Sequence, residues 1–129
     1  MLWSSRPINT KAFDYYPSLR KVREHFEISY AEPLSLAAAA AIASLEAKHF
    51  SKVFRKKVGI GFKEWMDVVR IGKAMDAIQA EYQSLSDIAF AVGFQDLRTF
   101  QRAFKQHAHM RPREYRREIM IHLDNPQVV

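Results

Sequence analysis

One supersecondary unit occurs twice in this chain, and the duplication constrains the fold more than any other feature. Residues 35–57 read SLAAAAAIASLEAKHFSKVFRKK and residues 84–107 read SLSDIAFAVGFQDLRTFQRAFKQH. Both copies begin with Ser-Leu, both have Phe-x-x-x-Phe near the end, and a basic residue follows the last Phe in each. The copies are offset by 49 residues at their start and by 50 at their end, so the second has one extra residue in its turn. The pattern predicts two helix-turn-helix units.

The hydrophobic spacing between and around the copies is helical, and no strand pattern is present. Residues 62–80 repeat apolar side chains at helical spacing, and at 1.5 Å per residue they form a connector about 28 Å long. Residues 1–16 have no period, which predicts a flexible arm. We therefore predict an all-α fold with two helix-turn-helix subdomains joined by a long connector helix. Its parts are a flexible N-terminal arm (1–17), the first subdomain (18–61), the connector helix (62–80), the second subdomain (81–124) and a C-terminal tail (125–129).

Residues typical of helix starts stand ahead of the predicted helices. Ser18 is predicted to cap a helix that ends at Pro33, because the residue before proline is pushed out of helical geometry. The predicted caps of later helices are Ser35, Ser84 and Asp96, and Pro112 is predicted to open the closing helix. The phenylalanines of the repeated motif are predicted to be core residues rather than surfaces for base stacking, and they are Phe50, Phe54, Phe100 and Phe104.

Positive charge is concentrated in the second helix of each copy and just after it. The chain has a net charge of +6. Residues 46–58 carry +4 and residues 95–117 carry +5, whereas residues 62–87 between them carry −2. A chain that only needed to be soluble would have no reason to separate its charge in this way, so the pattern indicates a polyanionic partner. Paired helix-turn-helix units favour double-stranded DNA.

The remaining composition excludes several classes of protein. The chain has no cysteine, which excludes disulfides, thiolate zinc sites and cysteine nucleophiles and fits a reducing cytoplasm. No apolar run approaches the ~20 residues that cross a membrane, and the N-terminus lacks the features of a signal peptide. His107 and His109 point in different directions on one predicted helix, so we expect them in the core or in solvent and predict no metal. No phosphate-binding glycine loop or nucleophile motif is present, so we predict no cofactor and no enzyme activity.

The second copy also carries a longer motif that is specific to one family. The motif consists of Ile88-Ala89, Val92-Gly93-Phe94, Phe100, Arg102-Ala103-Phe104-Lys105, Pro112 and Tyr115-Arg116. Phe54-Arg55-Lys56 and Gly59 match in the first copy, and Arg70 and Ala74 match in the connector. Residues 33–117 therefore resemble the DNA-binding domain of AraC/XylS-type transcriptional regulators. Two positions depart from that pattern, because Ser44 and His109 stand where the family usually has glycine.

The resemblance implies that the connector holds both second helices so that they enter successive major-groove segments, which lie ~34 Å apart on one face of DNA. The outward residues expected to meet bases are Ala47, Lys48, Ser51, Lys52 and Arg55 in the first copy, and Leu97, Arg98, Thr99, Gln101 and Arg102 in the second. The residues expected to contact phosphates are Ser35, Lys56, Ser84, Lys105, Arg113 and Arg116. Arginine and glutamine select bases better than lysine and serine do, which predicts that the second copy carries more of the specificity.

We therefore predict a sequence-specific transcriptional regulator, expected to be an activator, that binds an asymmetric promoter site as a monomer. RNA polymerase is a further candidate partner, and the expected location is the bacterial cytoplasm, at the nucleoid. The alternative is a protein-interaction adaptor or anti-activator that uses the same helices against protein. About 34 residues precede Ser35, too few for the sensing domain that many relatives carry. We therefore expect either a short stand-alone regulator or a fragment of a longer chain.

Overall fold

The computed structural model describes residues 7–80 and 83–124 of the chain. All regular structure in these two stretches is helical, with no strand, which confirms the predicted fold class. The eight helices are α1 (Lys11–Tyr15), α2 (Pro17–Ile28), α3 (Leu36–Ile42), α4 (Ala47–Val58), α5 (Phe62–Ala80), α6 (Leu85–Ala91), α7 (Leu97–Ala108) and α8 (Pro112–Asp124). None of the helices described is long and apolar enough to cross a membrane.

Aromatic rings from four helices form the centre of the first hydrophobic core. Phe54 on α4 is fully buried, and its ring centroid lies 5.5 Å from those of both Phe62 and Trp65 on α5. Phe26 of α2 packs on Trp65 from another side, at 5.3 Å. Phe13 of α1 contacts both Phe54 and Trp65, with ring centroids 5.9 and 5.3 Å away. The prediction that Phe54 is a core residue is therefore confirmed. Helix α1 contributes to the same core.

Residues 7–17 are packed against this core, so the prediction of a flexible arm is wrong for this stretch. Phe13 is only 1% exposed. The backbone N–H of Asn9 donates to the Val58 carbonyl at 2.8 Å, and the Asn9 side-chain amide donates to the Lys57 carbonyl at 3.2 Å. A helix of five residues shows no periodicity and is too short to be stable alone, so it depends on tertiary contacts such as these. Residues 1–6 of the predicted arm and the predicted tail (125–129) lie outside the described residues.

The second core forms around α7, and α5 passes through both cores. Val68 of α5 belongs to the first core and Ile71, three residues later, belongs to the second. Phe100 and Phe104 of α7 are fully buried, and the ring of Tyr115 on α8 lies 5.6 Å from that of Phe104. The predicted connector helix 62–80 is confirmed in its bounds. Since one continuous helix supplies side chains to both cores, it connects the two subdomains.

Most predicted helix starts are confirmed, but the start and the end of α2 are not. The hydroxyls of Ser35 and Ser84 accept from the N–H groups three residues later, at 3.1 and 3.0 Å. At α2, Pro17 takes the first helical position, so Ser18 lies inside the helix rather than capping it. The helix also ends at Ile28, before Pro33 is reached. The carbonyls of Tyr30 and Glu32, which follow the helix, accept hydrogen bonds from the Arg70 side chain of α5.

The two positions that depart from the family pattern keep the backbone geometry that glycine normally provides there. Ser44 has φ = 59° in the first turn, and His109 has φ = 61° at the end of α7. Both angles lie in the left-handed region, which costs a residue with a Cβ roughly 1–2 kcal/mol. The substitutions therefore leave the two turns in the glycine-type backbone conformation.

Candidate nucleic-acid interface

The helices α4 and α7 each present a basic, exposed face opposite a phenylalanine face. The buried side of α4 consists of Phe50, Phe54 and Val58, and that of α7 includes Phe100 and Phe104. Each is the second helix of its helix-turn-helix unit, and each is 12 residues long. We call α4 and α7 the reading helices. Since their inner faces are fixed by the cores, the outward position of the basic side chains follows from the helical period.

On α7 the exposed face brings together three of the five residues that were expected to meet bases. Arg98, Gln101 and Arg102 are exposed on successive turns. Leu97 is instead half-buried and packs against the second core. Thr99 is also half-buried; its N–H donates to Asp96 Oδ1 at 2.7 Å, and its hydroxyl donates to Asp96 Oδ2 at 3.0 Å. The geometry leaves two guanidinium groups and one amide free to face a partner.

Asp96 places a negative charge at the start of the second reading helix. Hydrogen bonds from the Thr99 backbone and hydroxyl lower the pKa of Asp96, and the charges of Arg102 and Arg98 lower it further. The carboxylate therefore stays ionised and stabilises the first turn of α7.

The first reading helix also begins with a carboxylate N-cap, and this cap was not predicted from the sequence. Glu46 is its N-cap, and its two carboxylate oxygens accept from the N–H groups of Lys48 at 3.1 Å and His49 at 3.0 Å. These bonds lower the pKa of Glu46. Glutamate is an uncommon cap, so the serine and aspartate rule gives no signal for it. Lys48 and Lys52 are exposed, whereas Ala47 is half-buried against the first core.

Arg55 occupies a different place from the other residues expected to meet bases. It lies in the last turn of α4, and its side chain lies against Gly61, ahead of α5. A Cβ on Gly61 would stand 2.6 Å from Arg55 Nη2, so glycine leaves room for the guanidinium. The group is thus close to the connector rather than at the outer tip of the reading helix.

A cleft of about 720 Å³ separates the two reading helices, and α5 forms its floor. Ser51 and Arg55 of α4 line one wall, and Gln106 and His107 of α7 line the other. The charged side chains lining it from α5 are Lys63, Glu64, Asp67 and Arg70. Burial raises the pKa of Asp67 and lowers the pKa of Arg70. Both reading helices thus contribute side chains to one cleft.

The residues expected to contact phosphates are spread around the reading helices. Lys56, Lys105 and Arg113 are exposed. Arg116 is half-buried and donates to the Gln83 carbonyl, which ties α8 to the segment before α6. The hydroxyls of Ser35 and Ser84 accept from their own helices, so they serve as caps in this structure.

His107 lies in the core, which is one of the two placements expected for it. It is 1% exposed, and its Nδ1 has no hydrogen-bond partner among the described residues. Burial lowers the pKa of His107, an effect that outweighs the opposing influence of Glu64 and Asp67 on α5. In the part of the chain that the structure describes, no group of three or more metal-ligating side chains occurs.

We expect the stability of the protein to fall as the pH is lowered from about 7 to about 5.5, because of His107. Its folded pKa is lowered, so the unfolded chain binds more protons below the ordinary histidine pKa of about 6.5. His107→Gln should flatten this dependence in urea unfolding. The exposed His109 is the matched control, as His109→Asn, since asparagine tolerates the left-handed backbone there. A variant at position 107 that keeps the full pH dependence would contradict the expectation.

The chain is similar in sequence to helix-turn-helix transcriptional regulators. Residues 39–118, more than half of the chain, match the family model described as a helix-turn-helix domain. An uncharacterized HTH-type transcriptional regulator of Staphylococcus aureus strain MSSA476 is 28% identical over 109 residues. The match covers 84% of this chain and 15% of that protein. The chain therefore spans only about 15% of the length of this relative.

Solved structures share the arrangement of helices. One of them is a transcriptional regulator from Chromobacterium violaceum that contains an AraC-type DNA-binding domain. It superposes on this chain with a TM-score of 0.76 at 23% identity. The match covers 82% of this chain and 95% of that one. The DNA-binding domain of the global transcriptional factor AdpA, solved in complex with a target DNA, gives a TM-score of 0.75 at 21% identity. It covers 85% of this chain and 97% of that one, so nearly the whole of that domain has a counterpart here.

Proposed function

Because the chain belongs to the AraC-type helix-turn-helix family of transcriptional regulators, we propose that it binds double-stranded DNA through both reading helices. The observation that carries the proposal is the pair of basic, exposed helices bordering one cleft and joined through α5. A connector about 28 Å long is comparable to the ~34 Å between successive major-groove segments. The fold shared with the AdpA domain, which was solved on its target DNA, supports the same partner.

In this proposal the exposed side chains divide into groups that read bases and groups that bind the backbone. Arg98 and Arg102 present planar forks that suit guanine O6 and N7, and Gln101 suits adenine. Lys48 and Lys52 on α4 are point charges that select bases less sharply. Arg55 lies against Gly61 beside the cleft, and we assign it to a phosphate contact rather than to a base edge. The second reading helix therefore supplies most of the sequence selectivity.

We further propose that one chain is sufficient to occupy a site. The two subdomains differ in their reading side chains, so the site is asymmetric, unlike the palindromes that symmetric dimers bind. A fixed connector requires the DNA to bend where its grooves do not match, at a cost of order 1–6 kcal/mol. The regulator acts at the bacterial nucleoid in the cytoplasm, as an activator that brings RNA polymerase to the promoter.

Binding to a duplex selected from a random pool tests the proposal, with gel shifts at rising salt. A protein that contacts ~6–10 phosphates loses roughly 10³–10⁵ in affinity between about 50 and 200 mM salt. Lys48→Gln and Lys52→Gln should each reduce the slope of log affinity against log salt by about 1. Lys21→Gln on α2 is the control, because this exposed lysine lies outside the proposed interface. Binding that does not change with salt, or no binding, would favour the adaptor that uses these helices against protein.

A further inference from the structure

One side chain of the connector is bonded to the first subdomain. Arg70 lies on α5, where Nε donates to the Tyr30 carbonyl at 2.8 Å and Nη2 donates to the Glu32 carbonyl at 3.0 Å. Its guanidinium also lies 5.2 Å from the ring centroid of Phe26. Tyr30 and Glu32 are about 40 residues earlier in the chain and belong to the segment after α2. Arg70 therefore fixes that segment of the first subdomain to the middle of the connector.

In the second subdomain, Gly93 lies close to Arg70 and to the carbonyls of Tyr30 and Ala31. This glycine ends the first helix of the second helix-turn-helix unit with φ = 109°. A Cβ placed on it would stand 2.9 Å from Arg70 Nε and 3.0 Å from the carbonyl oxygens of Tyr30 and Ala31. A side chain at this position would therefore require Arg70 or the Tyr30 and Ala31 carbonyls to shift. We call Tyr30, Ala31, Glu32, Arg70 and Gly93 the subdomain joint.

Two further contacts strengthen the joint. The Tyr30 side chain is half-buried and packs against the hydrophobic cores of both subdomains. The ammonium group of Lys73, one turn along α5 from Arg70, lies 5.3 Å from the Tyr30 ring centroid. The joint thus combines hydrogen bonds, two cation–π contacts and a close backbone approach at one place.

We propose that the subdomain joint sets the distance and the rotation between α4 and α7, with Arg70 as the positioning residue that makes the protein selective for spacing in its DNA site. The inference rests on the proposed function, since spacing has meaning only if both helices read one duplex. The connector alone does not prevent each subdomain from rolling about its axis, because side-chain packing allows small sliding motions. Two charge-assisted hydrogen bonds from a planar group hold both position and angle.

The first test is a series of duplexes with one base pair inserted or deleted between the two half-sites. One base pair displaces the second half-site by ~3.4 Å and rotates it by ~35°. The affinity of the unaltered protein for such sites should be at least about tenfold lower. This is similar to the loss that one mismatched base pair causes. Arg70→Gln should bind the optimal site more weakly and lose less than about threefold on the altered spacings. Lys21→Gln, which removes the same charge from α2, should keep the full spacing penalty.

The second test measures the joint without DNA. The chain has no cysteine, so Ala41→Cys on α3 and Ala91→Cys on α6, both exposed, carry spin labels at two defined places. Pulsed electron paramagnetic resonance then gives the distribution of distances between the subdomains. Arg70→Gln should broaden this distribution, whereas Lys21→Gln should not. If urea unfolding shows that Arg70→Gln does not fold, Arg70→Lys replaces it, because lysine keeps the charge and lacks the planar fork.

The outcomes separate the joint from the proposed function. An Arg70 variant with an unchanged distance distribution and an unchanged spacing penalty overturns the joint, even when both proteins bind DNA. An unaltered protein that binds no duplex overturns the proposed function, and the label distances still test the joint. A broadened distribution together with relaxed spacing supports both.

Discussion

Replacing Phe13 by alanine is expected to lower the free energy of unfolding by about 3–5 kcal/mol, a large share of the roughly 5–15 kcal/mol typical of a domain. The side chain is 1% exposed, and its ring packs on Phe54 and Trp65 in the first core. The guanidinium of Arg23 lies 5.3 Å from the centroid of the Phe13 ring. Removing the ring leaves a cavity among rigid aromatic neighbours that have little freedom to close it.

Urea unfolding followed by circular dichroism measures this effect, and the same helix provides the control. Tyr15, two residues later, is 77% exposed, so Tyr15→Ala should change the free energy of unfolding by no more than about 0.5 kcal/mol. If the two variants were equally mild, α1 would be only loosely attached to the core. A large loss at Phe13 alone would show that residues ahead of α2 are needed for the stability of the first subdomain.

The duplicated part of the chain could be predicted closely because its signals are local. Ser35, Ser84 and Asp96 cap helices with their own side chains, and the phenylalanine spacing defines the buried faces of α4 and α7. The exposed positions of Arg98 and Arg102 follow from that spacing. Each of these inferences involves residues within a few positions of one another, where helical geometry alone determines the arrangement.

The parts that could not be predicted depend on contacts between distant residues. Phe13 has no periodic partner in its own five-residue helix, and its ring contacts side chains of α2, α4 and α5. Arg70 bonds to carbonyls about 40 residues away, and the close approach at Gly93 is visible only when both subdomains are in place. Arg55 has the helical phase of a reading residue, yet its side chain lies against Gly61. A sequence pattern specifies the face of a helix but not the side-chain conformer or the distant partner.

The two arginines of the second reading helix should account for the largest loss of DNA affinity. Arg98 and Arg102 are exposed one turn apart on α7, and Gln101 is exposed beside them. A bidentate arginine–guanine pair discriminates by about 1–3 kcal/mol. Replacing both arginines by alanine should therefore cost about 2–6 kcal/mol, roughly 30- to 20,000-fold in affinity for the selected site. Most of this loss should be absent on non-specific duplex, since phosphate contacts there do not depend on base identity.

The matched control is the corresponding pair on the first reading helix, Lys48 and Lys52, which are also exposed and one turn apart. Replacing both by alanine removes the same net charge, so it should weaken specific and non-specific binding by similar factors. Competition gel shifts with the selected site and with random duplex separate the two effects. Equal loss of selectivity from both pairs would contradict the division of roles between α4 and α7. We expect a loss of selectivity only from the arginine pair. The planar guanidinium group of arginine matches two acceptors on one base, whereas the ammonium group of lysine does not.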